Sequence, residues 1–225
     1  MSEQPPERPP EEPPEPPVEP SAEPAQPPME PPPPPHPIQL VVNDDLKRSR
    51  LTVFFRLLLA IPQLFWLNVW SGTIGFLVIV QWFAVLIKGR APDDLHALLE
   101  RSLRYLTHFT AYLALVGNPY PTFFGREGTY PVDLLVEKPT RQNRWVTGFR
   151  LVLAIPALIL AYVFATVMWV VAFIGWFVAI VIGRTPKGMR DLSAYCLRYQ
   201  MQTNAYLMIV TDRYPSLAGP PSPNS

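Results

Sequence analysis

The chain has 225 residues, 30 prolines, one cysteine and a formal net charge of +1. The single cysteine, Cys196, excludes an intramolecular disulfide and a cysteine-built metal cluster. The near-neutral total conceals an acidic piece and a basic piece. The basic residues of the second flank apolar stretches, which points to anionic lipid rather than nucleic acid.

Residues 1–36 hold 17 prolines, eight glutamates and one arginine, a formal charge of −7. With almost no apolar side chains, this segment cannot bury enough surface to offset its ordering entropy. It reads as a disordered, polyproline II-rich tail, extended and therefore cheap for a protein partner to dock on, or simply a spacer. Its acidic start lacks the basic-then-apolar pattern of a cleavable signal, so none is expected.

From Pro37 the chain states one unit twice at a constant offset of 94, and 28 of the 87 positions from Pro37 to Phe123 match their partners. That defines repeat 1 at 37–123, a linker at 124–130, repeat 2 at 131–217 and a loose end at 218–225. Each repeat opens on a strand-like run, Pro37–Val42 and Pro131–Val136, and the two runs are candidates to pair as a small sheet.

An apolar stretch follows in each repeat. From Leu51 to Ile87 the only charge is Arg56, and from Trp145 to Ile182 it is Arg150. Each stretch is nearly twice the roughly 20 residues needed to cross a bilayer. A hairpin of two helices is therefore expected in each, with tips at Asn68–Thr73 and around Tyr162–Thr166; a re-entrant hairpin is the alternative. Hairpins put every flanking basic residue on one side, which the positive-inside rule makes cytoplasmic. The expected fold is thus all-α and integral to the plasma membrane. It has four spanning segments in a multi-pass topology and both termini in the cytoplasm. An amphipathic helix after each hairpin lies at the interface or packs beneath it, over Asp93–Val116 and Met189–Val210.

Six arginines are candidate contacts for a lipid headgroup or anion. Arg56 and Arg150 lie just inside the apolar stretches, where they either line a path or snorkel to the interface. Arg90 and Arg184 belong to Gly-Arg-x-Pro, which either grips a phosphate or simply ends a helix. Arg104 and Arg198 precede tyrosines mid-helix, as headgroup ligands or interfacial anchors. Pro62 and Pro156 kink or hinge the apolar helices. His96 and His108 have no counterparts in repeat 2, and no suitably spaced ligands suggest a metal.

Arg-x-x-Leu-Ala-Ile-Pro, Trp-Phe, Gly-Arg-x-Pro and Thr211-Asp212-Arg213-Tyr214-Pro215 together resemble a bacterial, largely actinobacterial, membrane family. It is catalogued as domain of unknown function 4389. Repeat 1 departs at Gly117-Asn118-Pro119-Tyr120-Pro121, which lacks the acid–base pair of that motif. The resemblance implies a multi-pass membrane protein and brings no catalytic residue or cofactor. No enzyme signature such as G-x-S-x-G, H-E-x-x-H or a phosphate-binding glycine loop is present. The expected function is a non-enzymatic scaffold or regulator of a cell-envelope complex that requires no cofactor. Its expected partners are anionic lipid, a protein bound through the tail, and further copies of itself. The alternative is an oligomeric transporter or channel subunit for an anion or lipid.

Overall fold

A computed structural model describes residues 36–137 and 141–218. The tail at 1–35, residues 138–140 and the end from 219 onward lie outside the described residues, as therefore do the readings of the tail and the loose end. Contacts divide the chain between Pro34 and Pro35, and the fold below is that of the second unit.

Strand β1 (Ile38–Val42) and strand β2 (Val132–Val136) pair antiparallel with Leu40 opposite Leu134. Those two residues are equivalent in the repeats, so a pseudo-two-fold axis runs through the middle of the sheet. Short helices α1 (Arg50–Phe54) and α4 (Arg144–Gly148) lead into long helices α2 (Arg56–Lys88) and α5 (Arg150–Ile182), of 33 residues each.

The expected hairpins are absent: α2 and α5 run unbroken through both proposed tips. The residues that looked like turn formers are accommodated inside the helix. Ser71 Oγ donates to Asn68 O at 2.7 Å, and Thr166 Oγ1 to Tyr162 O at 3.0 Å. One internal glycine costs a helix about 1 kcal/mol. Opening the backbone among apolar groups orphans several amides at ~1–3 kcal/mol each, so the helix persists. Pro62 and Pro156 also sit inside their helices without ending them. Four expected segments thus become two helices long and apolar enough to cross a membrane.

Each long helix ends at a left-handed glycine, Gly89 (φ 69°) or Gly183 (φ 78°), whose N–H bonds back to Val85 O or Ala179 O. Proline then opens helix α3 (Asp93–Leu113) or α6 (Lys187–Leu207). These two helices take the second of the two expected placements, packed under the long apolar helices. They are buried on most sides and pack against each other and the sheet, with Leu99, Leu103, Cys196 and Leu197 in one core with Ile38, Val132 and Leu134. Of their charged residues, Arg104 and His108 are buried against Asp133 of the sheet, while Asp93, Asp94, Arg101, Lys187 and Asp191 remain exposed.

Long-range bonds orient the long helices. Arg56 reaches the C-terminal end of α3, while Gln81 Nε2 reaches Ile209 O beyond the end of α6 at 2.9 Å. Arg150 reaches the C-terminal end of α6, while Gly175 lies against Leu115 beyond the end of α3. Hence α2 and α5 run in opposite directions along the α3–α6 pair. The repeats also interlock at their ends: Arg48 N bonds Gly183 O at 3.0 Å, and Gln142 N bonds Gly89 O at 3.1 Å. Trp82 and Trp176 donate across the repeats to Thr147 O and Val53 O.

Candidate functional site: twin arginine caps and a one-sided cleft

Helices α3 and α6 both end in a Schellman turn. Val116 N bonds Ala111 O and Leu115 N bonds Tyr112 O, with Val210, Ile209, Ala205 and Tyr206 repeating the pattern. The left-handed position, normally glycine, holds Leu115 or Ile209, each at φ 59°. A side chain there costs roughly 1–2 kcal/mol, so the surroundings must hold the turn in place.

The two arginines of the apolar stretches do this. Arg56 Nη1 donates to Tyr112 O and Gly117 O, and Nη2 to Asn118 O and Oδ1. Arg150 Nη1 donates to Tyr206 O and to Thr211 O at 2.9 Å, and Nη2 to Gln142 Oε1 at 2.9 Å. Each guanidinium also lies over a tyrosine ring, Tyr112 at 4.3 Å or Tyr206 at 4.5 Å. Both arginines are at most 2% exposed, so they neither snorkel nor reach a headgroup. They are helix caps supplied in trans: a positive group meets the negative end of the helix dipole where carbonyls lack donors. Arg48 Nη2 and the side chains of Gln81 and Gln142 secure the strained turns by donating to Leu115 O and Ile209 O.

Arg104 lies under the sheet. It pairs with Glu100 at 2.8 Å and with Asp133 at 3.1 Å, and donates to Leu134 O at 3.2 Å. His108 Nε2 is 3.4 Å from Asp133 Oδ1, and its ring stacks on Tyr130. Burial alone raises the Asp133 carboxyl, but the N–H groups of Gly128 and Leu134, with Arg104 and His108, outweigh it and leave the group below its ordinary value. Burial holds His108 below its ordinary value against the pull of Asp133.

The equivalent Arg198 has none of these carboxylates. Around it Ala194 stands in place of Glu100, Gln202 in place of His108, and Gln39 of β1 in place of Asp133 of β2. Arg198 lies 5.0 Å from the Tyr195 ring centroid, and its own pKa is lowered by burial. Gln202 bridges Ile38 O and Ser216 N.

Arg90 pairs on the surface with Asp93, and Arg184 is exposed, its backbone bridged to Lys47. His96 Nε2 is buried within 3.0 Å of Val210 O. The structure therefore brings the six candidate arginines into no common site. Four of them are built into the protein interior.

An open cleft of about 790 Å³ lies beside α3 of repeat 1. Trp66 and Trp70, stacked at 5.9 Å, form its apolar wall with Phe123 and Phe124, while Glu100, Arg101 and Arg104 form its polar wall. Repeat 2 has Leu160 and Phe164 in place of the tryptophans, and Phe164 packs into Tyr195 and Tyr199. A smaller cleft of about 550 Å³, lined by Lys88, Arg90 and Arg141, is basic.

Sequence reasoning passed over Gln63 and Gln81. Both are fully buried, and Gln63 bonds Pro121 O and the Tyr105 hydroxyl. Their signal was present: with Arg56 they fall on one helical stripe of an otherwise apolar segment.

The family model described as Domain of unknown function (DUF4389) matches the chain twice, over residues 50–125 and 144–218. The chain belongs to this family. The two matches are the two repeats, each carrying one arginine cap. No curated protein and no solved structure matches the chain.

Proposed function

We propose that this DUF4389 protein is a non-enzymatic scaffold or regulator of a cell-envelope complex, held in the plasma membrane by α2 and α5, with both termini cytoplasmic. The observation that carries this reading is the use of the two arginines in the apolar helices. Arg56 and Arg150 point at backbone carbonyls of α3 and α6, and the apolar faces of the same helices point outward. An anion or lipid path needs those charges facing a lumen, so an oligomeric transporter is the weaker reading. The acidic, proline-rich sequence of residues 1–36 supports a protein partner, because an extended segment binds at low ordering cost.

The test is purification of the full chain and of residues 37–225 from native membranes, with mass spectrometry of what accompanies each. Proteins that vanish with the tail are the expected result. The same companions in both preparations, or a bound lipid alone, overturn the tail-docked scaffold. Flux in liposomes that Arg56→Gln and Arg150→Gln abolish, in protein that still folds, favours transport.

A further inference from the structure

We infer that α2 and α5 lie lengthwise in one leaflet of an anionic membrane, as a two-helix raft, and do not cross it. The inference rests on membrane residence and is independent of the scaffold reading.

Three observations lead to it. First, the rest of the fold sits against the middle of the long helices and not beyond their ends. Ile74, Leu77 and Val78 of α2 and Met168 and Ala172 of α5 join the core that contains Ile38, Val132 and Leu134 of the sheet. If α2 and α5 stood upright, the two-stranded sheet would lie at hydrocarbon depth with both edges unpaired. The exposed Arg126 and Glu127 that precede β2 would be carried in with it. Open sheet edges and charged loops do not occur facing lipid. Laid flat, α2 and α5 leave the sheet in water.

Second, each long helix is buried along one stripe and apolar along the opposite one. On α2, Leu58, Phe65 and Phe76 are 60–71% exposed, and on α5, Ile159, Phe173 and Val181 are 61–72% exposed. These spacings follow the helical repeat along nearly the whole of both helices, so each presents a continuous apolar side opposite the stripe packed on the rest of the fold.

Third, the charge matches an anionic leaflet. Arg50 at the start of α1 and Lys88 at the end of α2 bracket the first apolar run, Arg144 at the start of α4 and Arg184 just past α5 bracket the second, and all four are exposed. Because the helices are antiparallel, an upright arrangement would put basic residues on both sides of the bilayer. A flat one puts all four at the headgroups of one side, the cytoplasmic side by the positive-inside rule. The helix length of about 50 Å at ~1.5 Å per residue then needs no match to a ~30 Å hydrocarbon core.

The full chain is reconstituted in vesicles of phosphatidylcholine and phosphatidylglycerol, with the buried Cys196 left in place. Cysteines at Ser49 and Lys88 are offered an impermeant maleimide from one side. Bimane at Phe65→Cys, Phe76→Cys and Phe83→Cys is offered nitroxide lipids of two depths. The expected result is labelling of Ser49→Cys and Lys88→Cys from the same side. All three bimanes should be quenched severalfold more by the nitroxide near the headgroup than by the one near the chain end. Labelling from opposite sides, or a depth that passes through the bilayer centre along α2, overturns the raft and leaves the scaffold reading standing. Protein that floats free of the vesicles overturns both.

Discussion

Repeat 1 and repeat 2 share a backbone and differ in what they bury. The positions kept at the offset of 94 end and join helices: Arg56 and Arg150, Gly89 and Gly183, Pro92 and Pro186, Tyr112 and Tyr206. The positions that diverged lie between those joints. Gln63 and Gln81 of α2 are replaced at the equivalent positions of α5 by Ala157 and Gly175, and the small residues let α5 pack closely on α6. Helix α3 of repeat 1 instead joins Asp133 of β2 in a charged cluster and borders an open cleft. The comparison teaches that this fold depends on how its helices end. The interior between those ends can be filled with apolar or polar groups.

The largest effect should come from the caps. Arg56→Met or Arg150→Met removes charge-assisted donors from buried carbonyls, worth ~1.5–3 kcal/mol each, and each should destabilise the protein by roughly 2–4 kcal/mol. Arg150→Met should cost more, since its bonds to Thr211 and Gln142 are 2.9 Å while the outer bonds of Arg56 are 3.4 Å. Chemical denaturation in detergent measures both, and equal losses would break the claim that repeat 2 is the tighter.

Asp133→Asn should follow, at about 1–3 kcal/mol, because it leaves Arg104 and His108 without their shared carboxylate. Gln39→Asp makes the reverse exchange beside Arg198 and should raise the melting temperature. A fall there would show that the two strands of the sheet are not equivalent.

Acid separates the repeats further. The folded pKa values of His108 and Asp133 are both depressed, so the stability each contributes is present above its unfolded pKa and is lost as pH falls through the folded one. Loss should therefore begin below about pH 6.5 and resume below about pH 4. His108→Gln, the residue of repeat 2, should remove its share of the first step. His36, also depressed by burial, retains the remainder.

Gly89→Ala and Gly183→Ala should each cost about 1 kcal/mol, because both glycines have positive φ. Their equality is a control on the shared joints. The smallest change expected is from Arg101→Tyr, which places the repeat 2 residue in the cleft. Stability should move by less than ~0.5 kcal/mol, while the emission of Trp66 and Trp70 shifts as the cleft narrows.

Much of the framework was legible because it is local. A left-handed glycine, an arginine and a proline end a helix wherever they occur, so both Gly-Arg-x-Pro runs marked the ends of α2 and α5. Alternating apolar residues after Pro37 and Pro131 marked the strands, and the offset indicated that they could pair. The hairpins misled because Asn68, Ser71 and Gly72 suit turns and helices alike when the hydroxyl can bond back along the helix. The arginines misled because a charge inside an apolar segment looks the same whether it faces lipid, a pore or a carbonyl 56 residues away.

The amino-acid sequence by itself determined the two-fold repeat, the acidic tail against a basic body, the apolar character of α2 and α5 and the points where helices stop. All of these depend on residues close together in the chain or on simple identity at a distance. Only the tertiary structure decided that the long helices run unbroken, that α3 and α6 are buried beneath a sheet, and that Arg56 and Arg150 cap them. Those outcomes depend on which backbone carbonyls are left without donors once the helices meet, and that is a property of the packed molecule.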